Sequence, residues 1–168
     1  RENDLLVLSP QTPHRSIRWN PFDSADDDLE LAARFAATLE ALGMKNDDTS
    51  YWVDSAKKFI RHAIALIRLT NPRGMPPSFQ QIAELAVNFE NIVARTDRLD
   101  VTRADCDGCL NYFANEWADL AAETRTSVQS YLTNMLDPFQ MEPYATMFSG
   151  HSTMRLADML DNGKILYV

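Results

Sequence analysis

The residues best equipped for chemistry are few. Cys106 and Cys109 stand in a Cys-Asp-Gly-Cys pair, half of a tetrahedral zinc site, but such a site needs two more ligands at suitable spacing, and His14, His62 and His151 are scattered. The expectation is two ordinary cysteines at a helix start, with no metal or redox function, and a reducing compartment suits so low a cysteine count. Gly163-Lys164 resembles the end of a phosphate loop. The full Gly-x-x-x-x-Gly-Lys-Ser/Thr run, whose amides would cradle phosphate, occurs nowhere in the chain, so the dipeptide reads as a turn. With no Gly-x-Ser-x-Gly elbow and no recognisable Cys-His signature, no catalytic residue is assigned.

Charged groups offer binding chemistry instead. Lys57, Lys58 and Arg61, with Arg68 beyond them, form the most basic stretch of a chain whose net charge is -8. They are either a solvated helix face or the contact for an anionic partner. Arg125 interrupts two apolar helix faces, and its guanidinium could fork onto phosphate or carboxylate, or serve as a structural cap or surface ion pair. Asp26, Asp27 and Asp28 suit a helix N-terminus, with a divalent-cation site as the alternative. Trp19, Tyr51 and Tyr144 could stack on bases, but no basic groove is interleaved with them, so packing is expected.

The elements that must hold these groups are mostly helical. At 168 residues, 45% hydrophobic and 24% charged, the chain fits one globular domain with a real core. No apolar run approaches the roughly 18 residues of a membrane span, and a soluble fragment is expected. The sequence begins at Arg1 without an initiator Met or a charged-then-apolar leader, so the native termini are expected to lie outside it. Apolar strands at residues 5–8 and 164–168 enclose about 150 residues that read as helix. The final strand is expected to find no partner within the chain, as in a module cut from a larger sheet.

Between the strands, residues 9–23 read as a Pro-containing connector. One helix follows from about Asp26 to Gly43 with Leu29, Ala32, Ala36 and Leu39 on its apolar side, and another starts near Asp48 or Thr49 with Trp52, Ala56, Phe59, Ile60, Ala63 and Ile67 as its core stripe. Prolines at 72, 76 and 77 break that helix, and Ser78-x-x-Gln81 supplies a capping box for a shorter one carrying Ile82, Leu85, Ala86 and Phe89, which Ile92 and Val93 extend. Leu110, Phe113, Ala114, Trp117 and Leu120, then Val128, Tyr131, Leu132 and Met135, form either one long helix or two jointed near residues 121–124. Pro138 should end it by holding Asp137 out of helical geometry. A short irregular helix over residues 141–148, a turn at Ser149-Gly150, one or two helical turns around Met154, Leu156, Met159 and Leu160, and a tight turn at residues 161–163 complete the chain.

Several runs together resemble a known family. They are Phe113-Ala114-Asn115-Glu116, Glu123-Thr124-Arg125-Thr126-Ser127-Val128, Leu136-Asp137-Pro138-Phe139 and the ending from Leu156 to Val168, preceded by Arg18-Trp19-Asn20-Pro21-Phe22-Asp23. In this order they are similar to the coupling proteins of type IV secretion and conjugation, the TraG/TraD-like ATPases, with Asn20, Pro21, Thr124, Arg125 and Ser127 at motif positions. The resemblance implies a mainly α fold of about five to seven helices, the all-alpha insertion of a RecA-like α/β ATPase. Residues 1–23 and 161–168 would be strand and connector of the nucleotide-binding domain, and 24–160 the all-alpha domain.

It further implies a substrate-recognition role in the cytoplasmic part of a bacterial inner-membrane protein. The parent would be a membrane-anchored homohexamer using ATP and Mg, while this fragment, without a P-loop, would be a monomer with no hydrolytic activity and no cofactor. Expected partners are a secreted protein or a relaxosome component, with DNA possible in the hexamer. Lys57, Lys58, Arg61 and Arg125 are the candidate contacts. The alternatives are a freestanding helical interaction module, such as a secretion chaperone or scaffold, whose end strands pair with each other or a second copy, and a helical DNA-binding domain.

Overall fold

The fold is built around one helix whose apolar side is wide enough to be covered from several directions. The computed structural model describes residues 4–41, 50–100 and 102–168. Helix α2, Ser50–Thr70, buries Val53, Ala56, Phe59, Ile60, Ala63, Ile64, Leu66 and Ile67, a broader face than the expected stripe, while Trp52 stays half-buried. Each such large apolar side chain contributes about 1.5–3 kcal/mol on burial. Helix α1, Asp28–Ala41, packs on α2, as do α3, Phe79–Val87, and α4, Phe89–Thr96. Next come α5, Asp107–Asn111, and a π-helical turn, Tyr112–Trp117, that prolongs it. Then α6, Ala122–Leu136, packs on α2 and α3, followed by the short helices α7, Tyr144–Met147, and α8, Leu156–Asp161.

Local signals act where the sequence placed them. Ser78 Oγ accepts from the Gln81 amide and Gln81 Oε1 from the Ser78 amide, closing the capping box at α3. Gly163 ends α8 in the left-handed region with φ 62°, and the Lys164 amide donates to the Met159 carbonyl at 2.9 Å, a Schellman closure leading into the last strand. Of the two arrangements open for the region around residue 121, the jointed one is found, with residues 118–121 separating the π turn from α6.

Four expectations are corrected. The final strand does have a partner: β1, Leu5–Val7, and β2, Ile165–Tyr167, pair in parallel with Leu5 opposite Ile165 and Val7 opposite Tyr167. Leu29 is 54% exposed, and α1 turns Leu31 and Phe35 inward beside the expected Ala32. That rotation is held by Arg68, whose guanidinium bonds Asp28 Oδ1 at 2.7 Å and the carbonyls of Asp26 and Ser24. The expected side chains of Ala36 and Leu39, and the helix limits at Gly43 and at Asp48 or Thr49, lie outside the described residues.

The third correction is at Asn88. It leaves helical geometry (φ -127°, ψ 112°) and accepts from the Glu90 amide, so α3 and α4 are separate and Phe89 and Val93 face outward. Fourth, Asp137 keeps helical angles before Pro138, and α6 tightens into a 3-10 turn, Asp137–Gln140, that stacks Phe139 on Phe79 at 4.1 Å. The connector of residues 9–23 carries no regular element beyond the turn Pro13–Arg15, and it buries Ile17, Asn20 and Phe22. Among the described residues no helix is long and apolar enough to cross a membrane.

Candidate functional site

Residues Tyr51, Asp54, Ser55, Lys58 and His62 recur at helical spacing along one side of α2, which aligns them in a single stripe. Opposite stands the π turn, whose i→i+5 bonding carries one residue more per hydrogen-bonded ring than an α turn. The wider turn buries Tyr112, Phe113 and Trp117 together and leaves Glu116 at the surface. Phe113 and Trp117 pack on Phe59 of α2, ring centres at 5.7 and 4.6 Å. The two elements enclose a cleft of about 300 Å³ lined by Tyr51, Asp54, Lys58, Tyr112, Glu116 and Trp117, among others.

Within this cleft Lys58 forms an ion pair with Glu116 and places its ammonium 5.6 Å from the centre of the Tyr112 ring. His62 stacks on Tyr112 with ring centres 4.3 Å apart and planes 11° from parallel. Burial, aided by the positive charges of Arg61 and Lys58, lowers the imidazole from 6.5 to about 4, and burial holds the Tyr112 phenol well above its usual range. At neutral pH a neutral imidazole therefore stacks on the neutral Tyr112 phenol beside the cleft, whose lining holds two carboxylates and one ammonium. This is binding chemistry, with no activated nucleophile among the lining residues.

The depressed His62 value has a measurable consequence. The unfolded chain takes up the proton more readily, so the stability contributed by the neutral ring is present above about pH 6.5 and is lost as pH falls towards about 4. Allowing for half exposure, the loss should be ~1–2 kcal/mol. Urea unfolding at neutral pH and near pH 4 should show a larger fall in wild type than in His62→Gln. Equal falls would refute it.

The other sequence candidates are dispersed. Lys57 is half-buried and Arg61 exposed beside the cleft, and neither has an ion pair among the described residues. Arg125 does not line the cleft; its guanidinium donates to the Ala118 carbonyl at 3.3 Å and clamps α6 to the end of the π turn. Thr124 is half-buried in the first turn of α6, and Ser127 donates back to the Glu123 carbonyl at 3.1 Å. Asp27 Oδ1 caps α1 by accepting from the Glu30 amide, while Asp26 pairs with Arg34 and Asp28 with Arg68, so the acidic run is a helix start. Tyr51 stands in the cleft wall at 53% exposure rather than packing inside, whereas Trp19 and Tyr144 lean on Phe148.

Cys106 and Cys109 lie buried at the start of α5, the latter donating its thiol to the Cys106 carbonyl, and burial pushes it up to about 11. Among the described residues no group of three or more potential ligands is placed to hold a metal. Gly163-Lys164 does not fit a nucleotide: the glycine shapes the Schellman turn, and the Lys164 ammonium bonds Asp4 Oδ1 at 3.0 Å.

Asn20 and Pro21 belong to a structural knot. Asn20 Nδ2 donates to the carbonyls of Pro77 at 2.8 Å and Gly150 at 2.9 Å, and Oδ1 accepts from the Phe22 amide at 3.0 Å. Ser152 and Asp23 join the same knot, Ser152 N donating to Asp23 Oδ2 at 2.7 Å. Pro21 follows as one wall of an aromatic groove with Trp19, Phe22 and Phe148.

Of the residues gathered here, Lys58 and Tyr51 stand out in the sequence, whereas Asp54, His62, Tyr112 and Glu116 do not. The helical spacing of Asp54, Lys58 and His62, and the presence of Glu116 in the run 113–116, were the available signals. Their meeting across 58 residues was not readable.

A family model described as type IV secretory system conjugative DNA transfer matches residues 1–168. No curated protein and no solved structure matches the chain. The chain belongs to the family of type IV secretory system proteins of conjugative DNA transfer.

Proposed function

We propose that this member of the conjugative-transfer family is a substrate-recognition module, without nucleotide hydrolysis of its own, whose α2–π cleft receives a protein partner such as a secreted protein or a relaxosome component. The observation that carries this is the partial neutralisation of the basic stripe: Lys58 is paired with Glu116 and Arg68 with Asp28, which leaves Lys57 and Arg61. On a chain of net charge -8 the two cations left on this stripe are few for a phosphate backbone, whose binding draws on many unpaired Lys and Arg. Protein is therefore favoured over DNA. Any ATP and Mg act elsewhere in the parent, because the chain has no phosphate-loop run.

Charge reversal at the cleft tests the reading. Asp54→Lys with Glu116→Lys, introduced into the full-length protein, should lower conjugative transfer by about tenfold or more while thermal melting of the domain stays cooperative. The same reversal at Glu90 and Asp97, away from the cleft, should leave transfer unchanged. Undiminished transfer in the cleft variant would refute the contact.

A further inference from the structure

We infer that the α2–π cleft is a receptor for one cationic side chain of the partner, a guanidinium by preference, and that Lys58 fills it as an internal competitor in the free protein. The inference rests on the cleft being the partner contact. Its walls are the exposed ring of Tyr51 and the largely buried rings of Tyr112 and Trp117, and its rim holds the carboxylates of Asp54 and Glu116. Ring faces and carboxylates in one hollow are the two kinds of group that attract a cation, and together they disfavour phosphate.

Lys58 already demonstrates that affinity from within. Its ammonium is held by Glu116 on one side and lies over the Tyr112 ring on the other. The grip is light, since the Lys58 and Glu116 side chains are 50% and 45% exposed, and ion pairs so placed contribute little. Asp54 has no ion pair or hydrogen bond among the described residues, so two carboxylates face one ammonium and the lining keeps a negative charge in excess. A second cation is therefore accommodated electrostatically, and a planar guanidinium can do what Lys58 cannot: stack on a ring while forking onto a carboxylate. His62, kept neutral beneath Tyr112, adds no opposing charge.

The test is a titration of the protein with N-acetyl-arginine methylamide and with its uncharged citrulline counterpart, followed through the NMR signals of His62 and the Trp117 indole. The arginine probe should shift both signals saturably, and the citrulline probe neither. Lys58→Met, which keeps the hydrocarbon stem but removes the competitor, should tighten arginine binding about threefold or more. Glu116→Gln should weaken it about tenfold, and Asp54→Asn serves as the second acidic variant.

The His62 titration gives an independent readout. Lys58→Met should raise the imidazole pKa, because Lys58 is one of the charges that lower it, and bound arginine should push it back down. Equal binding of citrulline, or weaker or unchanged arginine binding in Lys58→Met, would overturn the inference. That result combined with lost transfer on charge reversal would spare the cleft as a contact of other chemistry. Unchanged transfer would remove the contact and this inference together.

Discussion

Replacing Asn20 with Ala should cost about 3–4 kcal/mol, a large part of the 5–15 kcal/mol that holds a typical domain together. The side chain is 1% exposed and makes three hydrogen bonds at 3.0 Å or less, each to backbone from a different segment: Phe22 in the connector, Pro77 before α3 and Gly150 after α7. Alanine removes all three bonds and leaves the buried Pro77 carbonyl and Phe22 amide and the partly buried Gly150 carbonyl without this partner, which costs more than the bonds themselves are worth. Asn20→Asp should be no better, since a carboxylate would face two carbonyl oxygens. Urea unfolding measures the loss, and hydrogen exchange at the Trp19 and Thr153 amides, bonded to the Met147 and Arg18 carbonyls, should quicken selectively. A cost below about 1 kcal/mol would show that the knot is dispensable.

Trp117→Ala should cost about 3–5 kcal/mol, because a fully buried aromatic side chain leaves a cavity that helices on both sides cannot close. Its effect on function should exceed its effect on stability. Trp117 sits on Phe59 at 4.6 Å beneath the cleft, so its loss opens the cleft floor and loosens the π turn that presents Glu116. Trp117→Phe, which keeps an aromatic wall, should lose less of both. Unfolding free energy and arginine-probe affinity, read on the same samples, check the pair. A stable Trp117→Ala variant with intact probe binding would separate the π turn from the site.

Asn20 and Trp117 act on different parts of the molecule, the first tying the connector to the segment after α7, the second tying the π turn to α2. The described strands show the same division: β1 and β2 are paired, yet Leu5, Ile165 and Tyr167 remain more than half exposed. A two-stranded sheet is marginal alone, so the knot around Asn20, which anchors the connector to the helical body, carries more of the stability than the strands do.

Local order was legible because its causes are local. The capping box of Ser78 and Gln81, the Gly163 turn and the apolar stripe of α2 each follow from spacings of a few residues, which fix dihedrals and faces without reference to the rest of the chain. The family resemblance was legible for a related reason, since the order of short motifs survives in sequence. The run around Asn20 could be recognised, but its role could not, because the partners of that side chain lie 57 and 130 residues away.

What the tertiary structure alone decided is every outcome set by two distant surfaces meeting. Leu29 lies outside because Arg68 locks Asp28 against α2, and an apolar residue gains nothing from a helix side that another contact has turned to water. Arg125 became a clamp because the Ala118 carbonyl is within its reach. The cleft exists because three aromatic residues of one turn all had to be buried on α2, which favours the wider π turn and brings Glu116 to Lys58. Periodicity fixes which face of an element is apolar. Which other face it meets, and so which charged groups are brought together at the seam, depends on packing across long stretches of chain that no local spacing records.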